Sequence, residues 1–191
     1  MKAILFIALA ILAVAKESNG TPGIDVSAYQ GSINWSAVAG DGYRFAILRT
    51  TTKGGPMDDY FEANYSGALN AGLSVSGYHF SYSLSTSEPV SDANNLISKL
   101  NGKKLPIYID LEWSTQDDLG RQTVTDIVKS FIQTLQNNGY TVGVYSNTNW
   151  YNNYYYQSQL SALGCKFLIA QYGYNTDVYD ESWKPNVGEN I

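Results

Sequence analysis

Two rhythms of apolar residues alternate along this chain. The first is a set of short runs of strand length. Residues 23–27 (GIDVS) form a brief run ending near Asp25, and residues 44–50 (RFAILRT), 74–82 (SVSGYHFSY), 106–113 (PIYIDLEW), 140–146 (YTVGVYS) and 167–172 (FLIAQY) follow. The second has helical period. Asn34 is placed to cap a short helix over Trp35–Val38. A helix is predicted over 58–71, with Phe61, Tyr65, Ala68 and Leu69 on one face and Gly72 as its stop. Ser87-Glu88-Pro89 opens another, striped by Ala93, Leu96, Ile97 and Leu100 and ended by Gly102. Thr123, with Asp126 three residues on, is read as the cap of the strongest helix. There Val124, Ile127, Val128, Phe131, Ile132 and Leu135 recur in period and Gly139 ends the run. A polar, tyrosine-rich loop over 147–156 then leads to a short helix ending at Gly164.

Strand and helix therefore alternate throughout, which predicts an α/β fold with a parallel sheet and right-handed crossovers. In such folds functional side chains gather at the C-terminal ends of strands. Asp25, residues 78–82, Asp110, Glu112, Tyr145 and Gln171-Tyr172 all fall at such ends. Six strands are visible, whereas a closed barrel needs eight. The remaining residues, 173–191, are polar and poor in strand formers.

The first residues carry a different signal. Met1-Lys2 is positive, residues 3–15 are apolar but too short to span a bilayer, and Ala13-Val14-Ala15 has the small-x-small form of a signal-peptidase site. Residues 1–20 are expected to be a signal peptide and short leader, cleaved near Ala15 or a few residues later near Gly20. Residues 21–191 are expected to form one domain, secreted or delivered to a vesicular or lysosomal compartment, monomeric and without a membrane segment. The single cysteine, Cys165, allows no internal disulfide and is expected to be a buried structural thiol. A net charge of -5 and the lack of a basic run argue against nucleic acid as a partner. The 16 tyrosines and four tryptophans supply flat apolar faces with polar edges, which suit sugars as well as a core.

The chemistry concentrates in residues 106–113. Asp110 and Glu112 are separated by one residue, so on a strand they point the same way, about 7 Å apart. Two partly desolvated carboxylates on one face predict that one keeps its proton near neutral pH. A protonated acid beside an ionised one is what glycosidic cleavage requires. The bland reading is a pair of solvated loop carboxylates. No cluster of His, Cys and Asp suggests a metal, and no cofactor is expected.

Taken in order, GIDVSAYQG (23–31), YRFAILRT (43–50), GYHFSYS (77–83), PIYIDLEW (106–113), GYTVGVYSNTNWYNN (139–153) and FLIAQY (167–172) resemble the glycoside hydrolase family 25 lysozymes, which are N-acetylmuramidases. The resemblance implies a modified TIM-like β/α barrel with a groove at the strand C-termini. It implies hydrolysis of the β-1,4 bond between N-acetylmuramic acid and N-acetylglucosamine in bacterial peptidoglycan. It assigns Glu112 as general acid and Asp110 as its stabilising partner, through an oxocarbenium-like transition state or by orienting a substrate acetamido group. It gives Asp25 an electrostatic role, and places Tyr78, Tyr145 and Tyr172 around the sugar. The family's closing Trp-Gln-Tyr strand and a further Asp are not matched. Trp183 and Asp177 or Asp180 are the weak candidates for them, so the barrel is expected to be incomplete at its C-terminal end. A catalytically silent glycan binder is the alternative from another class, and a chitinase-like glycosidase ranks lower.

Several residues admit two readings. Asp25 could simply cap a strand end. His79, the only histidine, alternates away from Tyr78 and Phe80 and reads more readily as a packed residue than as a site residue. Residues 151–156 could line a groove or form a surface. Asp117-Asp118 reads as a solvated loop. Asn19, Asn34 and Asn64 each begin a glycosylation sequon.

Overall fold

A computed structural model of the chain describes residues 21–170. The predicted leader over 1–20, together with Asn19, Tyr172, Asp177, Asp180 and Trp183, lies outside the described residues. The fold class is α/β, as expected. Strands β1 (Gly23–Val26), β2 (Phe45–Thr52), β3 (Ser74–Phe80), β4 (Ile107–Leu111), β5 (Val142–Asn147) and β6 (Lys166–Ala170) are hydrogen-bonded in chain order. Helices α1 (Trp35–Gly40), α2 (Phe61–Asn70), α3 (Glu88–Leu100), α4 (Arg121–Asn137), α5 (Thr148–Asn153) and α6 (Gln157–Ser161) alternate with them. All six predicted strands are present, within a residue or two at their ends. Two compact units divide the chain: Met1–Arg49 with Asp58–Val75, and Thr50–Met57 with Ser76–Ile191.

In the first unit β1 pairs parallel with β2, Asp25 opposite Ile47. Asn34 caps α1 as predicted, its Oδ1 accepting the Ala37 N–H at 3.1 Å. Helix α2 begins at Phe61, three residues later than predicted, because Asp58 turns the chain into it from outside, its Oδ1 accepting the Tyr60 N–H at 3.0 Å and its carbonyl the Phe61 N–H at 2.9 Å. Its carboxylate pairs with Arg49 at 2.7 Å and accepts the Ala28 N–H at 3.0 Å. The buried face of α2 also differs from the expected one. Leu69 is 45% exposed, and Asn64 is buried in its place. Asn64 Oδ1 accepts the indole N–H of buried Trp35 at 3.3 Å, so a polar side chain occupies a core position by being satisfied there. That burial removes Asn64 from the accessible sequons, whereas Asn34 remains at the surface.

In the second unit α4 packs on α3, β4 and β5. Its six predicted apolar residues, Val124 to Leu135, are all almost fully buried, and so are Ala93, Leu96 and Leu100 of α3. Each large side chain buried this way contributes about 1.5–3 kcal/mol. Helix α4 starts at Arg121, with Gly120 at its N-cap (φ 77°, ψ 147°), a left-handed approach that a side chain would resist. Thr123 therefore lies inside the first turn and does not cap it. Asp126 instead meets Gln122 and Lys129.

The tyrosine-rich stretch predicted as loop contains α5. Asn147 caps it, its Oδ1 accepting the Trp150 N–H at 3.0 Å. Tyr151 and Tyr155 are core residues, both meeting Phe167, and Tyr155 shares a 2.8 Å hydrogen bond with Ser146 Oγ. Of the run 151–156, only Tyr156 among the large side chains is clearly exposed. Cys165 is buried as expected and donates to the Leu160 carbonyl, and burial pushes its thiol up to about 11.

Trp35 lies so close over Gly67 of α2 that a Cβ there would sit 2.3 Å from the indole Cδ1. Alanine in an open helix position gains about 1 kcal/mol over glycine. Overpacking a rigid buried ring costs about 1–3 kcal/mol. Gly67→Ala is therefore expected to destabilise the protein, reversing the usual helix preference, and urea unfolding of the two proteins measures the sign.

Candidate active site

Strand β4 carries two different faces because its residues alternate. Ile107, Ile109 and Leu111 have no exposed surface. Tyr108 and Asp110 point the other way. Register then builds rows across the sheet. Tyr78, Tyr108 and Gly143 are Cα partners on β3, β4 and β5, and Phe80, Asp110 and Tyr145 form the next row towards the strand C-termini. Residues in register on parallel strands share a face, and so do residues two apart on one strand, so Tyr78, Asp110 and Tyr145 lie on one face of the sheet. The Tyr108 ring lies over Gly143, where a Cβ would come within 2.4 Å of its Cε1. Burial raises the Tyr108 pKa, so its phenol stays neutral and able to donate.

Asp110 is 4% exposed, and its backbone carbonyl accepts the Ser81 N–H at 3.0 Å. Glu112 follows the last residue of β4 and is half-buried. Burial raises its carboxyl pKa above the ordinary range, and a hydrogen bond from Asn147 pulls it part of the way back. This Asn147 Nδ2 to Glu112 Oε1 contact is long, at 3.5 Å. Because Asn147 Oδ1 is committed to capping α5, its amide is oriented with Nδ2 towards Glu112. The expected raised acid is thus Glu112, with burial as the leading cause.

An aromatic wall forms at the ends of β3 and β4. Phe80 and Tyr82 are 4.9 Å apart between ring centroids, and Tyr82 meets Trp113 edge-to-face at 5.0 Å. Trp113 is the residue after Glu112. Asp25 lies on β1 in the other compact unit, half-buried. Tyr172 lies outside the described residues. Among the described residues no group of three or more His, Cys, Asp and Glu is arranged to hold a metal ion.

Sequence reasoning missed Asn147, Tyr108 and the pairing of Tyr82 with Trp113. Asn147 had a signal: an asparagine at a strand end, three residues before a tryptophan, is a helix-cap pattern. Tyr108 had one too, since it shares the strand face of Asp110. Nothing local joins Tyr82 to Trp113.

Residues 24–188 match the sequence model of Glycosyl hydrolases family 25. The chain belongs to glycosyl hydrolase family 25. The family match runs past Tyr172, where the motif resemblance stops. Among curated proteins, this family 25 chain is 29% identical to Lysozyme M1 of Streptomyces globisporus over 82% of its own length and 56% of the relative's. It is 28% identical to the autolytic lysozyme of Clostridium acetobutylicum, over 84% of its length and 48% of the relative's. The chain thus spans about half the length of the curated relatives it matches. Among solved structures, the family 25 glycosyl hydrolase from Bacillus anthracis is 26% identical with a TM-score of 0.65, covering 77% of this chain and 68% of that one. The bacterial lysozyme from Streptomyces coelicolor has the same identity and TM-score, covering 85% and 79%.

The raised Glu112 pKa has a stability consequence. A carboxyl whose folded pKa lies above its unfolded value contributes stability at acid pH, which is lost as pH rises through the folded pKa. Glu112→Gln removes this loss. The variant is expected to match or exceed the wild type in stability at neutral pH, with the difference shifting towards the wild type on acidification. Urea unfolding across a pH series checks the crossover.

Proposed function

We propose that this chain is a secreted lysozyme that hydrolyses the β-1,4 bond between N-acetylmuramic acid and N-acetylglucosamine in bacterial peptidoglycan. The observation that carries the reading is Glu112, a half-buried carboxyl with a raised pKa, one residue beyond the strand that bears the buried Asp110. Glu112 in its protonated form donates to the leaving glycosidic oxygen. Asp110 stabilises positive charge as the bond breaks, or orients a substrate acetamido group. Both routes use the same two carboxyls. Asp25 contributes to the field of the site, and Tyr78, Tyr145 and Tyr172 contact the sugar. The lysozyme names of the two curated relatives support the substrate class. The leader pattern over 1–20 supports secretion, with residues 21–191 as a monomeric catalytic domain. No cofactor is required.

Clearing of a bacterial cell-wall suspension tests this directly. The wild type is expected to clear it, and Glu112→Gln to lose roughly 10²–10⁴-fold in rate, the usual contribution of a positioned acid. Folded protein that fails to clear walls but pulls down peptidoglycan of unchanged length would replace this reading with a silent glycan binder. Release of soluble sugar from chitin would point to a chitinase.

Activity is also expected to fall as pH rises through the Glu112 pKa, because only the protonated acid donates. Asn147→Leu removes the contact that lowers that pKa, so the basic limb of the profile should move to higher pH. A pH–rate profile of both proteins reads the shift, and an unmoved limb would remove Asn147 from this role.

A further inference from the structure

The first turns of α3 carry a polar stripe that the proposed chemistry does not use. Glu88, Asp92 and Asn95 stand at i, i+4 and i+7, so they share one helix face. Each grips a segment that follows a strand. Glu88 pairs with Lys53 at 2.6 Å and accepts the Leu84 and Ser85 N–H groups at 2.6 and 3.2 Å. Asn95 donates to the Gly55 carbonyl at 3.0 Å. Asp92 is the centre. Its Oδ1 accepts the Gly54 N–H at 2.7 Å, and its Oδ2 accepts the Ser83 hydroxyl at 3.1 Å and lies 3.6 Å from His79 Nε2. The other nitrogen of His79 shares a 2.9 Å hydrogen bond with Thr51 Oγ1, and its ring stacks on Phe131.

This arrangement is costly. Asp92, His79, Ser83 and Thr51 are all buried, and an isolated buried carboxylate carries a large desolvation penalty. Burial pushes the Asp92 carboxyl up, but His79, the Gly54 N–H and Ser83 together bring it below the ordinary carboxylate range, so it is held ionised. Removing one partner from such a network costs more than the pair contributes to stability.

The segment it holds, Ser81–Ser83, reaches the site by three links. The Ser81 N–H donates to the Asp110 carbonyl. The buried Gln116 amide donates to Ser83 O at 2.8 Å and to Ser81 Oγ at 3.3 Å. Tyr82 packs on Trp113, the residue after Glu112.

We propose that Asp92, anchored to the Gly54 N–H and the Ser83 hydroxyl, is a positioning residue that sets the segment after β3 and thereby holds the Tyr82–Trp113 aromatic wall in place at the residue following Glu112. The proposal rests on the lysozyme reading for its functional consequence and on the loop geometry for its structural one, and two readouts separate them. The first is amide exchange at Tyr82, Ser83 and Leu84 in the unliganded protein. Asp92→Ala and the milder Ser83→Ala should both speed it, with Asp92→Asn restoring most protection. The second is the rate on peptidoglycan. Asp92→Ala should lower kcat/KM roughly tenfold or more, as expected when a group is displaced near the chemistry. Combining it with Tyr82→Ala should add little further loss, because the two act through one wall.

Unchanged exchange at residues 82–84 in the Asp92→Ala or Ser83→Ala protein would overturn the proposal, and so would fully additive losses in the double variant. If Asp92→Ala does not fold, Ser83→Ala carries both readouts. A wild type that fails to cleave peptidoglycan would sink the lysozyme reading, and the exchange result would still decide the positioning.

Discussion

The candidate site depends on keeping the end of β4 out of water. Ile107, Ile109 and Leu111 are sealed against the helix layer in which α4 lies, and this burial fixes the opposite face of the strand. Alternation then leaves Tyr108 and Asp110 no choice of direction. Glu112, next in the chain after Leu111, sits where solvation is already poor. The raised pKa of that acid is thus a by-product of core packing one residue away, adjusted by the single amide of Asn147. Changes in the apolar half of the strand would be felt in the chemistry of the polar half.

What could be read from the chain follows from how local each cause is. The strands and the α4 stripe were visible because alternation and helical period are properties of neighbouring residues. Asp110 and Glu112 stood out because the acids end an apolar run. Several of the misplaced features had distant causes. Asp58 stands just ahead of α2, one carboxylate oxygen on Arg49 and the Ala28 N–H and the other on the Tyr60 N–H. Asn64 displaced Leu69 from the core because an indole 29 residues away offered it a partner. Helix α4 began early because Gly120 could turn into it where a periodicity argument looks for a hydroxyl cap. Helix α5 was hidden by its polarity, since Trp150 and Tyr151 bury their rings among residues that read as loop.

Asp92 shows the same limit in the site's surroundings. On a helical wheel it lies beside the apolar stripe of Ala93 and Leu96 and reads as a boundary charge. Only the folded chain shows that Gly54, Ser83 and His79 converge on it. His79 was expected to be packed or hydrogen-bonded, and it is both. Its partners come from three separate stretches, so neither spacing nor composition could name them. The polar groups of this unit divide into those placed to face the proposed substrate and those that hold the framework, and Asp110 and Asp92, one of each kind, are almost equally buried.

The stacking of Tyr108 on Gly143 couples two positions on neighbouring strands. A side chain at 143 evicts the ring, and a small residue at 108 leaves a void above the glycine. A smaller residue at 108 relieves only the first of these, because a Cβ at 143 would still come within 2.8 Å of the Lys166 carbonyl oxygen. Position 143 is therefore held at glycine by the neighbouring backbone as well as by the ring, and drift in this part of the sheet is open at 108 and closed at 143.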